Sequence, residues 1–264
     1  MYTLSIVSMF KNESWILAEW FDHYIRQGVD HFYLIDNGST DVYTYPSDKV
    51  TLIQDGTRYA KNTQDRLIQK HFLEKIKAET EWILVCDVDE YVYARHTYTI
   101  PEVLKELLPE VEKVWIPWKV FGSSGHIQQP PCIVEAFTLR HPVQHHAILY
   151  TNPPIHQYGT GKMISRTKTL RNIFCHETVT ENPVVYTSHG IPYSVPSDPS
   201  TYPLQLNHYM LMSKEYYYRI KCVRGGGQSG HIYKYSMAYF EDMDKQCMVV
   251  DTELKSKYTK KKIE

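Results

Sequence analysis

The sequence predicts an α/β protein in which a mostly parallel β-sheet is flanked by helices within a single domain. Apolar runs of strand length alternate with apolar stripes at helical spacing through the N-terminal part of the chain. Polar and acidic residues follow nearly every one of those runs, at the carboxyl end where open α/β sheets bind ligands. With 42% hydrophobic and 22% charged residues, the chain can also bury a sizeable core.

Leu4–Met9 reads as the first buried strand, with Phe10-Lys11-Asn12-Glu13 as the turn after it. Ile16, Leu17, Trp20, Phe21, Tyr24 and Ile25 form a helical stripe, and Gly28 closes that helix from the position that favours a left-handed backbone. His31–Ile35 is a second strand, ending in Asp36-Asn37-Gly38-Ser39-Thr40-Asp41, and Lys49–Gln54 is a third. Leu67, Ile68, Phe72 and Ile76 mark a helix that leads into the strand Trp82–Cys86. Strand, helix, strand, strand, helix, strand is the rhythm of a largely parallel sheet covered by helices.

Asp87, Asp89 and Glu90 place three carboxylates within four positions directly after that apolar strand. Burying such groups unpaired costs several kcal/mol, roughly, so they are expected at the strand's carboxyl end. Alternating carboxylates there can share a hard divalent cation, Mn²⁺ or Mg²⁺, whose natural partner is a diphosphate.

In the second half, Pro101 opens a short helix, Val114–Trp118 reads as an apolar strand, and Phe121–His126 is the loop beyond it. Trp115 and Trp118 fall on opposite faces of that strand, so one of them at most meets a ligand. Gln128 to Tyr202 is rich in proline, histidine and asparagine; within it Lys162–Arg166 and Ile173–His176 read as short strands, and Pro192–Pro203 as an irregular loop or lid. Ser213 caps a further helix, followed by the Gly225–Gly230 loop with cationic neighbours Lys221 and Arg224. Residues 251–264 are expected to be a basic, flexible tail.

A net charge of −1 gives no basic face for nucleic acid. Five cysteines without a Cys-x-x-Cys pair argue against a disulfide framework. No run of eighteen apolar residues and no leader-like N-terminus is present, so a cytoplasmic chain without a transmembrane segment is expected.

Met9–Glu13, the helix bearing Glu19-Trp20, Gly28–Asp41 and then Asp87-Val88-Asp89-Glu90-Tyr91 together resemble the signature and Asp-x-Asp motif of glycosyltransferases of the family-2-like and family-92 type, over roughly residues 3–95. The resemblance implies a GT-A fold: residues 1–95 as the nucleotide-sugar half and 96–250 as the acceptor half of one domain. It implies a metal-dependent, hexosyltransferase-class enzyme that moves sugar from a nucleotide-sugar, a UDP-sugar, to a glycan, glycoconjugate or other hydroxyl acceptor with inversion.

Carried over residue by residue, Ser8, Phe10, Asn12, Asp36, Gln64, Arg66 and Asp87 match nucleotide-sugar-binding positions. Asp87, Asp89 and the late His208 match a metal site for Mn²⁺ or Mg²⁺, although His208 equally suits a hydrogen-bonded histidine at the sheet edge. Trp118, Gly122, Ser123 and His126 correspond to the strand and loop that face donor and acceptor. The general base is left among Glu177, Glu135 and Glu90. Two other readings stand beside this one: a sugar-1-phosphate nucleotidyltransferase, for which Phe10-Lys11-Asn12-Glu13 is a poor phosphate cradle, and a non-catalytic carbohydrate-binding protein.

Overall fold

The computed structural model describes residues 1–107, 109, 111–142, 161–181, 185–187, 203–224 and 236–260. Strands β1 (Tyr2–Phe10), β2 (His31–Asp36), β3 (Val50–Gln54) and β4 (Thr80–Val85) form a parallel block in the order β3-β2-β1-β4. Val7 is in register with both Tyr33 and Val85, so these strands end together and their polar followers gather at one edge. Every residue of β2 is buried, which is why it reads as an unbroken apolar run rather than an alternating one.

Helix α1 (Ser14–Arg26) buries Ile16, Leu17, Trp20, Phe21 and Tyr24, and Gly28 takes φ +84° just beyond it. The stripe is shifted from the expected one: Ile25 is 38% exposed, and the inward position belongs to His23. Its Nε2 donates to the Val92 carbonyl at 2.7 Å, which leaves Nδ1 to accept from the Tyr258 hydroxyl. Helix α2 (Thr63–Glu79) buries Leu67, Ile68, Phe72 and Ile76 as the pattern requires.

Burial pushes the His23 pKa down from 6.5 to about 3, so the folded protein excludes a proton that the unfolded chain accepts. Stability from this group is complete above pH 6.5 and is lost as pH falls toward 3, by about 1.4 kcal/mol per pH unit within that window. Denaturant melts of wild type and His23→Gln between pH 7 and 4 should therefore converge on acidification. Parallel curves would show that His23 carries no such linkage.

The second half adds β5 (Glu90–Ala94), α3 (Ile100–Lys105), β6 (Lys113–Val120), α4 (Ile133–Ala136), β7 (Leu139–Arg140), β8 (Gly161–Arg166), β9 (Leu170–Ile173), β10 (Thr178–Thr180), β11 (Val185–Thr187) and β12 (Leu204–His208). Pro101 and a Thr99–Glu102 capping box start α3. β8 lies antiparallel between β4 and β6, while β12 runs parallel to β6 and antiparallel to β5. Among the described residues the order of this sheet is β3-β2-β1-β4-β8-β6-β12-β5, with β11 also on β6. This is the Rossmann-like, mixed sheet flanked by helices that a GT-A fold calls for, and one sheet unites both halves.

Two local expectations change. The strand expected over Ile173–His176 stops at Ile173, because Cys175 turns its N–H to the Asp65 carboxylate at 2.7 Å and its carbonyl to Lys162, also at 2.7 Å. After β13 (Val249–Val250), the expected tail instead forms α7 (Glu253–Lys260), with Leu254 buried. Lys119 in β6 explains the docking: its buried ammonium needs counter-charge and meets Asp251 at 3.0 Å and Glu253 at 2.9 Å, while Arg140 and Arg95 complete the network. Residues 261–264, the Gly225–Gly230 loop and the 192–202 part of the expected lid lie outside the described residues. Among those described, no helix is long and apolar enough to cross a membrane.

Candidate functional site

β4 stops at Val85, and Cys86–Asp89 carries the chain around to β5, so the paired carboxylates occupy a short connection at the sheet's carboxyl edge. Asp87 Oδ1 accepts from Gln64 Nε2 at 2.9 Å, and Oδ2 accepts from Lys162 Nζ at 2.8 Å. Lys162 projects from β8, is fully buried, and also lies 3.4 Å from Glu90 Oε2. Glu90 Oε2 in turn accepts the Asp87 N–H at 2.9 Å, bracing the turn.

Asp89 faces a second cation. Its Oδ2 accepts from Lys221 Nζ at 2.6 Å and lies 3.6 Å from His208 Nε2. His208 ends β12, whose pairing with β5 sets it opposite Glu90. Lys221 comes from a π-helical segment, Tyr217–Arg224, that continues α5 (Lys214–Tyr216), with the Ser213 hydroxyl accepting the Tyr216 N–H at 3.0 Å as its cap. From the same segment Arg224 pairs with Glu13, and Tyr216 donates to Glu13 Oε2 at 3.0 Å, tying this element to the turn after β1.

The electrostatics follow from burial and pairing. Burial opposes ionisation of Asp87 and Asp89, yet Lys162 beside the one, and Lys221 with His208 beside the other, hold both carboxyls below the usual range. Glu90 goes the other way: burial outweighs Lys162 and pushes it up to about 8. The Trp118 ring lies 4.4 Å from that of His208 and 5.5 Å from that of His176, so Trp118 rather than Trp115 faces the site. Buried here without a hydrogen-bond partner among the described residues are Trp118 Nε1 and Glu90 Oε1.

A carboxylate oxygen and an imidazole nitrogen on one side of a largely enclosed site suit Mn²⁺. Asp89 and His208 therefore fit the expected metal, with water and phosphate oxygens needed to complete its shell. Asp87 differs from Asp89 in that both of its oxygens are engaged within the protein, one by Gln64 and one by Lys162. Among the described residues, no three His, Cys, Asp or Glu side chains converge as a ready-made cation site.

Of the other expected nucleotide positions, Phe10 and Asp36 lie in register at the ends of β1 and β2. Asp36 ends β2 with Oδ1 accepting the Ser39 N–H at 2.7 Å and Oδ2 accepting the Tyr43 hydroxyl at 2.8 Å. Phe10 meets Tyr43 edge-on at 4.9 Å, and Asn12, at φ 53°, accepts the Thr40 N–H at 2.7 Å. Ser8 is buried in β1, with a hydroxyl that has no partner among the described residues. Arg66 is exposed and lies over the Tyr59 ring at 5.0 Å.

The loop expected to face donor and acceptor is largely engaged with the protein. Ser123 donates its N–H and its hydroxyl to Asp244, both at 2.6 Å, in α6 (Met237–Gln246). A Cβ on Gly122 would stand 2.7 Å from Asp244 Oδ1 and 2.6 Å from Cys247 Cβ, so this glycine makes room for the C-terminal end of α6. His126 Nε2 lies 3.3 Å from the Ala136 carbonyl. Of the three proposed bases, Glu90 is enclosed, Glu135 lies exposed on α4 near α7, and Glu177 is exposed beside His176. Sequence reasoning did not assign Lys162 or Tyr43 to the site; a lysine opening the otherwise apolar run Met163-Ile164 was the available sign.

The fold and site define an α/β protein whose charged groups converge outside the carboxyl ends of parallel strands. In sequence, the chain is similar to a glycosyltransferase family 92 protein of Oryza sativa subsp. japonica, 22% identical over 136 residues, which are 49% of this chain and 23% of that protein. The chain thus spans under a quarter of that relative's length. No family model matches it. Among solved structures it is similar to the mannosyltransferase PcManGT from Pyrobaculum calidifontis in complex with GDP-Man and Mn²⁺, at 21% identity and TM-score 0.32, covering 44% of this chain and 35% of that one.

Proposed function

We propose that the chain is a metal-dependent glycosyltransferase that takes a nucleotide-diphosphate sugar, a UDP-sugar, as donor and the hydroxyl of a glycan or glycoconjugate as acceptor, with inversion. The observation that carries this reading is the Asp89–His208 pair beside Lys221, at the edge where β1, β2 and β4 end. Mn²⁺ or Mg²⁺ bound there supplies Lewis-acid neutralisation of the leaving diphosphate. Gln64 and Lys162 fix Asp87 at the turn, and the Asp36–Tyr43 group forms the floor for base and ribose. Glu177 adjoins the His176–Trp118 contact and is the best placed of the three glutamates to take the acceptor proton.

Incubation with Mn²⁺ and a panel of UDP- and GDP-sugars should release nucleoside diphosphate from one donor class. Release of pyrophosphate from a nucleoside triphosphate instead would identify a nucleotidyltransferase, and no release from any donor would favour a binding protein. Asp36→Asn should weaken nucleoside diphosphate binding by roughly ten- to a hundredfold, the scale of one charge-assisted hydrogen bond, while leaving metal dependence unchanged. Calorimetric titration checks this, and an effect confined to the acceptor KM would displace Asp36 from the base site.

A further inference from the structure

Asp89 has a tenant that a metal ligand should not have. Lys221 Nζ touches its Oδ2 at 2.6 Å, and His208 Nε2 approaches the same oxygen at 3.6 Å, so the ammonium holds the oxygen that a cation shared by these two residues would use. A divalent cation and an ammonium on the same carboxylate oxygen repel each other strongly, which favours an ammonium that can leave.

The two lysines of the site differ in their freedom to do so. Lys162 is 0% exposed and bound at once to Asp87, Glu90 and the Cys175 carbonyl, so it is fixed. The Lys221 side chain is 18% exposed, and it extends from a π-helical segment whose other cations, Arg219 and Arg224, are already paired with Glu215 and Glu13. Segments of this kind are often found where a helix serves a site. A diphosphate arriving with the metal offers the ammonium an equivalent anion, since lysine binds phosphate as a point charge without a fixed geometry.

We propose that Lys221 is a displaceable counter-ion of Asp89, which holds the carboxylate in the ligand-free protein and passes to the donor's diphosphate when metal and nucleotide enter together. The inference rests on the reading of Asp89 and His208 as the cation site. Its consequence is positive coupling: nucleotide tightens metal binding, and metal tightens nucleotide binding by the same factor.

Titrating Mn²⁺ by electron paramagnetic resonance, with and without UDP or GDP, tests this without reference to turnover. Wild type should bind Mn²⁺ weakly alone and roughly ten- to a hundredfold more tightly with nucleotide, the scale of one ionic contact exchanged. Lys221→Met should bind Mn²⁺ alone more tightly than wild type by a similar factor and lose most of the gain from nucleotide. Lys221→Gln, which keeps a donor toward Asp89 but no charge, should follow the methionine variant, and Lys221→Arg should follow wild type. Melting curves with Mn²⁺ identify the folded variants. Mn²⁺ affinity in both uncharged variants equal to or below wild type would overturn the role of Lys221 and leave the metal site standing. Failure of wild type to bind Mn²⁺ even with nucleotide would overturn the metal site and the inference with it.

Discussion

Asp89→Asn is expected to lower kcat by roughly a thousandfold, because the Lewis acid it would hold is worth several kcal/mol of transition-state stabilisation. Asparagine has the same shape and still offers an oxygen to Lys221 and His208, so the turn between β4 and β5 should survive the change. The effect should therefore appear in turnover and in Mn²⁺ affinity, with only a modest fall in melting temperature, because the Lys221 side chain left unpaired is 18% exposed and reaches water. Asp89 is buried, and its carboxyl is ionised well below neutrality by Lys221 and His208 in spite of that burial, so the lost charge is one the folded protein carries at pH 7. An Asn variant with wild-type metal dependence but reduced stability would make Asp89 a structural partner of Lys221 and nothing more.

The second large effect is one of stability. Lys162→Met removes a fully buried ammonium that meets Asp87 at 2.8 Å, Glu90 at 3.4 Å and the Cys175 carbonyl at 2.7 Å. Breaking a buried pair from one side leaves uncompensated charge and costs about 3–5 kcal/mol. For a domain of this size that corresponds to a fall in melting temperature of roughly 10 °C. The methionine fills much of the vacated volume, so the loss reports charge rather than a cavity. A melting temperature within a degree or so of wild type, as measured by calorimetry, would show that Lys162 does not bear the load of the Asp87–Glu90 turn.

Much of the parallel block was readable because its information is local. The buried runs of β1, β2 and β4, the stripes of α1 and α2, the left-handed Gly28, Pro101 at the start of α3 and the cap at Ser213 each follow from a few adjacent residues. His23 shows where that reading stops. Periodicity assigned the inward position to Ile25, and only the carbonyl of Val92 and the hydroxyl of Tyr258, from distant parts of the chain, explain why a histidine fills it. The segment after 250 misled in the same way, since its lysines signalled solvent while Asp251 and Glu253 were answering Lys119 in β6.

By itself, then, the sequence determined the strand–helix alternation and the placing of Asp36, Asp87 and Asp89 after strands, because apolar periodicity and the cost of burying carboxylates act over a few residues. Tertiary structure alone decided which cation each carboxylate meets. Lys162 reaches Asp87 across 75 residues because β8 inserts between β4 and β6, and Lys221 reaches Asp89 across 132 because β12 delivers the following helix to the start of β5. Charge pairing follows spatial proximity, and proximity between such distant residues is set by strand order, which no local pattern encodes.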